Sequence, residues 1–253
     1  MPDAGVPDAD LIDVHTSTPR GNGVTFTVRE GTSDAATIHS TCHFDGNLQD
    51  EYGLRDLHLT GWALDIGAHV GSVAIALAVD NPGLRVVAVE AVPENAELVL
   101  ANAARNGVAD RVRVIAKAAS GDEEWAQLRY GPYEVPGIPP DHAMQVRFIG
   151  NLFRDHGSRG LTVRVPAVSL EALLDEFGIE RVAFMKIDCE GCEWAFLSSP
   201  AIDRVDLIHG EWHDRAVDAI TGLLAPTHRV EVLVDDGGVG MFRAVNHMPG
   251  GEP

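Results

Sequence analysis

Two short runs of carboxylates and histidines stand where apolar, β-branched segments of the sequence end. Asp188 and Glu190 belong to the first run, whereas Glu211 and His213 belong to the second. An imidazole with its ordinary pKa can accept a proton near neutral pH, and carboxylates can orient a hydroxyl group. His213 is therefore the first candidate for a general base. The three carboxylates are the other candidate catalytic residues, and we expect both runs to face one crevice.

Binding of a divalent ion is an alternative role for the same carboxylates. Oxygen atoms of Asp188 and Glu211 suit Mg²⁺, and a bound ion lowers the pKa of a hydroxyl that it coordinates. An acid cluster that only binds an acceptor needs no ion. The sequence leaves both alternatives open, with Asp188 and Glu211 as the candidate metal ligands.

Cys189 and Cys192 have the spacing of redox and zinc motifs. No second cysteine pair accompanies them, and a buried cysteine is most often a small apolar side chain. With Cys42 the chain has three cysteines, an odd number in a protein too large to need disulfide bonds for its stability. We therefore expect a reducing compartment, the cytoplasm, and no disulfide between these near neighbours.

A glycine turn between a predicted strand and a predicted helix indicates a cofactor site. Gly67 and Gly71 permit a tight turn and the close approach of a ligand, at the carboxyl end of a strand. A dinucleotide fold needs a further glycine at position 69, where this chain has His69, and Asp65 would repel a phosphate. The turn favours a ligand that carries a positive charge and no phosphate, and Asp65 is one of the candidate cofactor-binding residues. Glu90, after the second strand, is placed to accept hydrogen bonds from the hydroxyls of a ribose.

Charge and composition narrow the classes of partner. The 253 residues include 38 Asp and Glu against 19 Lys and Arg, a formal net charge of −19. Such a field repels phosphate backbones and anionic lipid surfaces, so we expect neither nucleic acid nor a membrane as partner. The start of the chain does not resemble a signal peptide, and no apolar stretch is long enough to span a bilayer. A small hydroxylated molecule is the expected partner, and the sequence does not decide whether the chain forms a homo-oligomer.

Short β-branched runs alternate with helical patterns from Trp62 onward, which predicts a mostly parallel, Rossmann-like α/β sheet. A turn at 235–238 between two apolar runs predicts an antiparallel C-terminal hairpin. The predicted strands are 63–66, 85–89, 112–115, 183–187, 205–208, 230–234 and 241–245. The predicted helices are 71–79, 93–107, 169–178 and 216–224.

The segments outside this pattern define the domain organisation. Residues 1–22 are polar and rich in Pro, Gly and Asp, so they are predicted to be a mobile arm with order beginning near Val24. Residues 23–253 form a single predicted domain that includes a small N-terminal extension at 23–61. An insertion at about 131–160 is rich in proline and is predicted to be a lid. His142 or His156 of this insertion is an alternative general base.

Three runs of the sequence, residues 64–71, 168–173 and 185–193, resemble the FkbM-type class I S-adenosylmethionine-dependent methyltransferases. The Lys-x-Asp-x-Glu-Gly-x-Glu pattern within 185–193 is the specific part, and the resemblance extends roughly from Phe26 to Val245. It implies the class I methyltransferase fold, S-adenosylmethionine as cofactor, and O-methylation of a sugar or another small natural product. Where other members often have asparagine, this chain has His69.

The resemblance also implies roles for individual residues around the cofactor. Glu51 and Tyr52 would lie near its amino-acid end, and Ala118 and Ala119 would border the adenine. The residues that would hold the remainder of the cofactor are Gly67, Ala68, Gly71 and Glu90.

Three other functions are compatible with a sheet of this kind, because the fold alone does not determine the reaction. They are N-methylation, nicotinamide-dependent oxidoreduction, and cofactor binding without catalysis. The missing third glycine and the antiparallel hairpin argue against the oxidoreductase. Turnover of an acceptor would exclude the binding module.

Overall fold

The computed structural model of the chain describes residues 10–130 and 161–248. The strands are β1 (Leu11–Ser17), β2 (Gly23–Arg29), β3 (His43–Phe44), β4 (Asn47–Leu48), β5 (Gly61–Ile66), β6 (Leu84–Val89), β7 (Val112–Ile115), β8 (Ala118–Ala119), β9 (Trp125–Tyr130), β10 (Leu161–Val168), β11 (Phe184–Ile187), β12 (Leu207–His213), β13 (His228–Asp235) and β14 (Val239–Asn246). The α-helices are α1 (Asp34–Thr41), α2 (Ser72–Asp80), α3 (Pro93–Arg105), α4 (Leu170–Phe177), α5 (Glu193–Leu197) and α6 (Val217–Leu224). Short 3₁₀ helices cover Leu54–Asp56 and Pro200–Arg204.

Seven strands form the central sheet, in the order β13-β14-β12-β11-β5-β6-β7. The five strands from β12 to β7 are parallel to one another. In contrast, β14 runs antiparallel to both β12 and β13. Alternate residues of β5 enter two apolar clusters, Leu64 and Ile66 on one face and Ala63 on the other. A parallel strand covered on both faces shows this pattern. The predicted Rossmann-like fold with an antiparallel C-terminal hairpin is confirmed.

Local sequence accounts for the ends of the helices. The Ser169 side chain accepts a hydrogen bond of 3.2 Å from the N–H of Ala172 at the start of α4, as an N-cap serine does. Gly178 ends that helix in the left-handed conformation, with φ of 61°. Pro93 is the first residue of α3, where its missing N–H has no cost.

One strand boundary differs from the prediction in a way that matters for chemistry. The sequence predicts that the fifth strand of the sheet ends at residue 208, but β12 continues to His213. Glu211 and His213 therefore lie within the strand and not in a loop after it. The cause is pairing with β14, which continues antiparallel from Leu207 to His213 although Gly210 and Glu211 interrupt the apolar pattern.

Order also begins earlier than the sequence predicts. Residues 11–17 form β1, which pairs antiparallel with β2, so the predicted mobile arm at 1–22 ends too late. Thr18 donates a hydrogen bond of 2.6 Å to Asp80 at the end of α2, and Arg20 donates one of 2.8 Å to the Asp80 carbonyl. These contacts hold the segment against the central domain. Because they are polar, no apolar pattern in the sequence indicates them.

The predicted lid at about 131–160, with His142 and His156, lies outside the described residues, as do residues 1–9. Among the residues that the structure describes, no helix is long and apolar enough to cross a membrane.

Candidate active site

A cavity of about 270 Å³ opens at the carboxyl ends of β5, β6 and β11, beneath α1. Open α/β sheets bind their ligands at this edge. The cavity brings together residues that the sequence assigns to the cofactor and residues that it assigns to the acceptor. They are Glu51, Tyr52, Gly67, Ala68, Glu90, Ala119, Asp188 and Glu190.

Three of the residues assigned to the cofactor do not line this cavity. Asp65 is fully buried beneath the turn, where it accepts a hydrogen bond of 2.9 Å from the N–H of Ala74. Gly71 faces Val99, whose Cγ1 would lie 3.0 Å from an added Cβ, and Ala118 is fully buried. These residues shape the turn and the strands behind it, and a ligand in the cavity would not touch them.

The glycine turn packs directly against the end of β11. A Cβ on Gly67 would lie 1.8 Å from the carbonyl oxygen of Asp188, and the φ of Gly67 is 77°. No other residue fits both conditions. The turn and the first acidic run are therefore held in backbone contact.

A buried ion pair lies under the same contact. Lys186 donates a hydrogen bond of 2.8 Å to the Gly67 carbonyl, and its Nζ is 3.6 Å from Asp65. Burial alone would lower the pKa of Lys186, but the charges of Asp65 and Asp188 raise it above its ordinary value. Lys186 is only 4% exposed. The lysine holds the turn to β11 in its charged form.

Glu90 is buried at the cavity wall, with the backbone as its main partner. It accepts hydrogen bonds of 2.7 Å from the N–H of His69 and 2.8 Å from the N–H of Val92. Burial raises the pKa of Glu90 to about 7, against the lowering effect of these two N–H groups. The carboxylate is fixed, and Oε2 keeps a lone pair for a further donor.

His69 of the turn is a site residue whose role the sequence leaves open. Its φ is 52°, and its Nε2 lies 3.4 Å from Asp34 of α1. Burial lowers the pKa of His69 to about 4 in spite of the Asp34 carboxylate, so the imidazole is neutral at pH 7. Nδ1 is buried and has no hydrogen-bond partner among the described residues. His69 is one of the residues that line the cavity.

The predicted convergence of the two acidic runs is present in the structure. The Tyr52 hydroxyl donates a hydrogen bond of 2.9 Å to Asp188. His213 Nε2 is 3.5 Å from Glu211 and 3.7 Å from Glu190. Glu211 and His213 do not line the cavity itself. They lie next to Asp188 and Glu190, which do line it.

The protonation of His213 differs from the expectation of an ordinary imidazole. Its Nδ1 lies 3.0 Å from the buried carboxylate of Glu193. Burial by itself would lower the pKa of His213, but the hydrogen bond to Glu193 and the charges of Glu193 and Glu190 raise it to about 9. A pKa of about 9 favours the protonated imidazole at neutral pH, which argues against the predicted role of His213 as general base.

Glu193 is a site residue that sequence reasoning missed. It is fully buried and accepts hydrogen bonds from the N–H groups of Cys189, at 3.1 Å, and Gly191, at 2.9 Å. It therefore fixes both the loop that carries Glu190 and the ring of His213. The sequence shows Glu193 close to the acidic run. Its partner His213 lies twenty residues away on β12.

The carboxylates of the cluster repel one another. Burial, followed by the charges of Asp188 and Glu51, raises the pKa of Glu211. Burial also raises the pKa of Glu51. Burial and the neighbouring carboxylates thus both disfavour the charged state of Glu211.

The loop between these acids is closed by a bond that the sequence analysis does not expect. Cys189 and Cys192 form a disulfide, with their Cα atoms 5.5 Å apart. The left-handed backbone of Glu190 and Gly191 folds the loop tightly enough to bring the two sulfur atoms together. The expectation of two reduced thiols is wrong for this structure.

Comparison with known proteins identifies the family. The model of the Methyltransferase FkbM domain matches residues 65–235, more than half of the chain. Comparison with curated proteins gives no significant match.

Solved structures of similar shape include three methyltransferases. Precorrin-6y C5,15-methyltransferase from Geobacter metallireducens is 16% identical, over 84% of this chain and 87% of its own, with a TM-score of 0.43. TrmK of M. capricolum, in complex with S-adenosyl-homocysteine, is 10% identical over 78% of this chain and 66% of its own, with a TM-score of 0.47. An O-methyltransferase from Bacillus cereus is 16% identical over 73% and 74%, with a TM-score of 0.39.

These likenesses are distant, and the strand order and register of the chain itself define its class I fold. The family match covers the glycine turn, Glu90, both acidic runs and the first strand of the C-terminal hairpin. The chain belongs to the FkbM methyltransferase family and is a methyltransferase.

Proposed function

We propose that this methyltransferase uses S-adenosylmethionine and transfers its methyl group to a hydroxyl of a small acceptor such as a sugar or another natural product. One observation carries the proposal. A single cavity is bordered by Glu90 and the glycine turn on one side and by Asp188 and Glu190 on the other. Donor and acceptor bound at these two ends would meet inside it.

The residues at the first end fit the cofactor. Glu90 is a carboxylate at the cavity wall, held by the backbone N–H groups of His69 and Val92. The hydroxyls of a ribose are donors that such a carboxylate can accept. Ala119 is the wall residue that the family resemblance places at the adenine.

The acidic end of the cavity suits the positively charged groups of the cofactor. Glu51 and Asp188 line the cavity there, and their carboxylates match an α-ammonium group and a sulfonium. This match also argues against a nicotinamide dinucleotide, whose pyrophosphate would be repelled.

When bound, S-adenosylmethionine supplies an electrophilic methyl group on a positively charged sulfur. The chain's own residues must align the acceptor oxygen with that carbon and take up the hydroxyl proton. Asp188, held by Tyr52, can orient the acceptor hydroxyl. Glu190 lines the cavity and is more exposed than Glu211, with 33% of its side chain accessible. We assign it as the proton acceptor, from which the proton passes to solvent.

An amine is the second candidate acceptor, because the same group of carboxylates would also hold an ammonium group. Competition between a hydroxylated and an amine-bearing acceptor in a methyl-transfer assay distinguishes the two. O-methylation is supported if only the hydroxylated compounds are turned over.

Titration calorimetry tests the cofactor. We expect S-adenosylmethionine and S-adenosylhomocysteine to bind with a stoichiometry of one, and NAD⁺ not to bind. Binding of NAD⁺ without binding of S-adenosylmethionine would overturn the proposal.

A further inference from the structure

We propose that His213, Asp188 and Glu211 bind a divalent transition-metal ion at the acceptor end of the cavity. The binding of the ion does not depend on the proposed function. Only its role does, which is to hold and acidify the acceptor hydroxyl.

The three side chains have their donor atoms within reach of one ion. Nitrogen and oxygen atoms of Asp188, Glu211 and His213 all lie within 4.8 Å of one another. Metal–ligand bonds to these atoms are about 2.0 to 2.2 Å long, so two neighbouring donors of one ion are about 3.0 to 3.5 Å apart. His213 Nε2 and Glu211 already lie 3.5 Å apart, and a side-chain movement of about 1 Å would bring Asp188 to the same ion.

The imidazole is oriented as in metal-binding histidines. Glu193 accepts at Nδ1 of His213, and backbone N–H groups of Cys189 and Gly191 hold Glu193 in turn. A carboxylate in this position fixes the ring and leaves Nε2 as the ligand atom. Glu193 is fully buried, so this support is rigid.

Nε2 of His213 points into the acid cluster. The carboxylate oxygens of Glu211 and Glu190 lie 3.5 and 3.7 Å from it. Only 4% of the His213 side chain is exposed. A metal ion bound at Nε2 would take the place of the proton that the imidazole otherwise carries between these oxygens.

The donor set indicates which kind of ion binds. Carboxylates alone suit Mg²⁺, the ion considered from the sequence. An imidazole nitrogen shifts the preference toward first-row transition metals, such as Mn²⁺ and Zn²⁺. The ion would compensate the mutual repulsion of the carboxylates, and a coordinated acceptor hydroxyl would lose its proton to Glu190 at a lower pH.

Calorimetric titration of chelator-treated protein with MnCl₂, ZnCl₂ or MgCl₂, without cofactor or acceptor, tests the site. We expect one ion per chain, with Mg²⁺ binding at least about tenfold more weakly than Mn²⁺ or Zn²⁺. H213Q, D188N and E211Q should each weaken Mn²⁺ binding about 100-fold, and E193Q about tenfold, as loss of an outer-shell partner does.

His209→Gln is the matched control. His209 is a buried histidine of the same strand and face, but its Nδ1 contacts the Tyr52 carbonyl. We expect H209Q to bind Mn²⁺ like the wild type. Circular dichroism of each variant confirms that it is folded, and electron paramagnetic resonance of bound Mn²⁺ reports the ligand change independently.

The absence of Mn²⁺ and Zn²⁺ binding by the wild type would overturn the site, and so would equal loss in H209Q and H213Q. In that case the His213 imidazolium is itself the cation that holds the carboxylates together. Titration with S-adenosylmethionine keeps the two proposals separate. Cofactor binding without metal binding removes the ion alone, and metal binding without cofactor binding removes the proposed function alone.

Discussion

The two ends of the cavity hold their carboxylates in opposite ways. At the cofactor end, the single carboxylate of Glu90 receives N–H groups from His69 and Val92. At the acceptor end, Glu190 and Glu211 stand together around one imidazole, that of His213. Backbone dipoles therefore organise the first end, whereas the second depends on balancing charges that come from different strands.

This difference explains why the two ends respond differently to change. A backbone N–H group does not titrate in this pH range and is kept in every substitution except one by proline, so the donors to Glu90 remain in place. Side-chain charges can be altered one at a time. The acceptor end should therefore be the more sensitive to pH, to cations and to single substitutions.

The largest effect is expected where the two ends touch. G67A places a Cβ 1.8 Å from the Asp188 carbonyl in a backbone with positive φ. Overpacking and the left-handed conformation together should lower the free energy of unfolding by about 2 to 5 kcal/mol. Cofactor binding and turnover should both be lost, as calorimetry and a methyl-transfer assay would detect.

Gly107→Ala is the control for the backbone conformation alone. Gly107 has a φ of 68°, but nothing lies within 4 Å of an added Cβ. G107A should cost only about 1 to 2 kcal/mol and should retain activity. If G67A and G107A behave alike, the contact between the two ends does not matter.

The second effect concerns proton removal at the acceptor end. E190Q should lower kcat by about 10² to 10⁴, as loss of a general base does, with little change in cofactor affinity. The pH profile of the wild type separates this assignment from a histidine base. If neutral His213 were required, kcat would continue to rise up to about pH 9, because its acidic neighbours hold its pKa there against the lowering effect of burial. A rate that does not rise between about pH 7 and 9 argues against the histidine base and supports Glu190.

The third effect is confined to the cofactor end. E90Q should weaken S-adenosylmethionine binding about 5- to 150-fold, since an uncompensated buried hydrogen bond costs about 1 to 3 kcal/mol. Ribose hydroxyls donate best to the ionised carboxylate, and the pKa of Glu90 is about 7. The affinity of the wild type should therefore rise as the pH increases through 7. E90Q should show no such rise, and an identical rise in both proteins would refute the ribose assignment.

Local sequence was sufficient to predict most of the fold and the glycine turn beside the cavity. Ser169 and Gly178 mark a helix through rules that need only their neighbours, and the turn at Gly67 is equally local. The extension of β12 was missed because Gly210 interrupts the apolar run. A Cβ at Gly210 would lie 2.3 Å from the carbonyl oxygen of Ile187, so the glycine serves close packing between strands and not a strand end.

The acceptor end could be predicted in its residues but not in its protonation. The pKa of His213 depends on Glu193 and Glu190, which reach it only through the parallel pairing of β11 with β12. The disulfide depends in the same way on the folding of the loop around Glu190. Such properties arise from distances between segments, which residue types and spacing do not specify.

The smallest expected effect is on the pH dependence of the free energy of unfolding. Glu90 at the cofactor end and His213 at the acceptor end should contribute to stability over different pH ranges. Both Glu90 and His213 have pKa values above their ordinary ones. A group whose pKa is raised on folding stabilises the protein fully below its unfolded pKa and loses that contribution as the pH rises through the folded pKa. The contribution of Glu90 should therefore disappear between pH 4.5 and about 7, and that of His213 between 6.5 and about 9.

Urea denaturation of the wild type, E90Q and H213Q at pH 5, 7 and 9 measures these two windows. Absolute stabilities do not suffice, because the lowered pKa values of His69 and His209 add a slope of opposite sign below pH 6.5. The difference between wild type and E90Q should change mainly from pH 5 to pH 7. The difference between wild type and H213Q should change mainly from pH 7 to pH 9, because only there does the imidazole lose the proton that its carboxylate neighbours stabilise. If both differences change over the same interval, the two ends are one coupled electrostatic unit and the contrast between them is wrong.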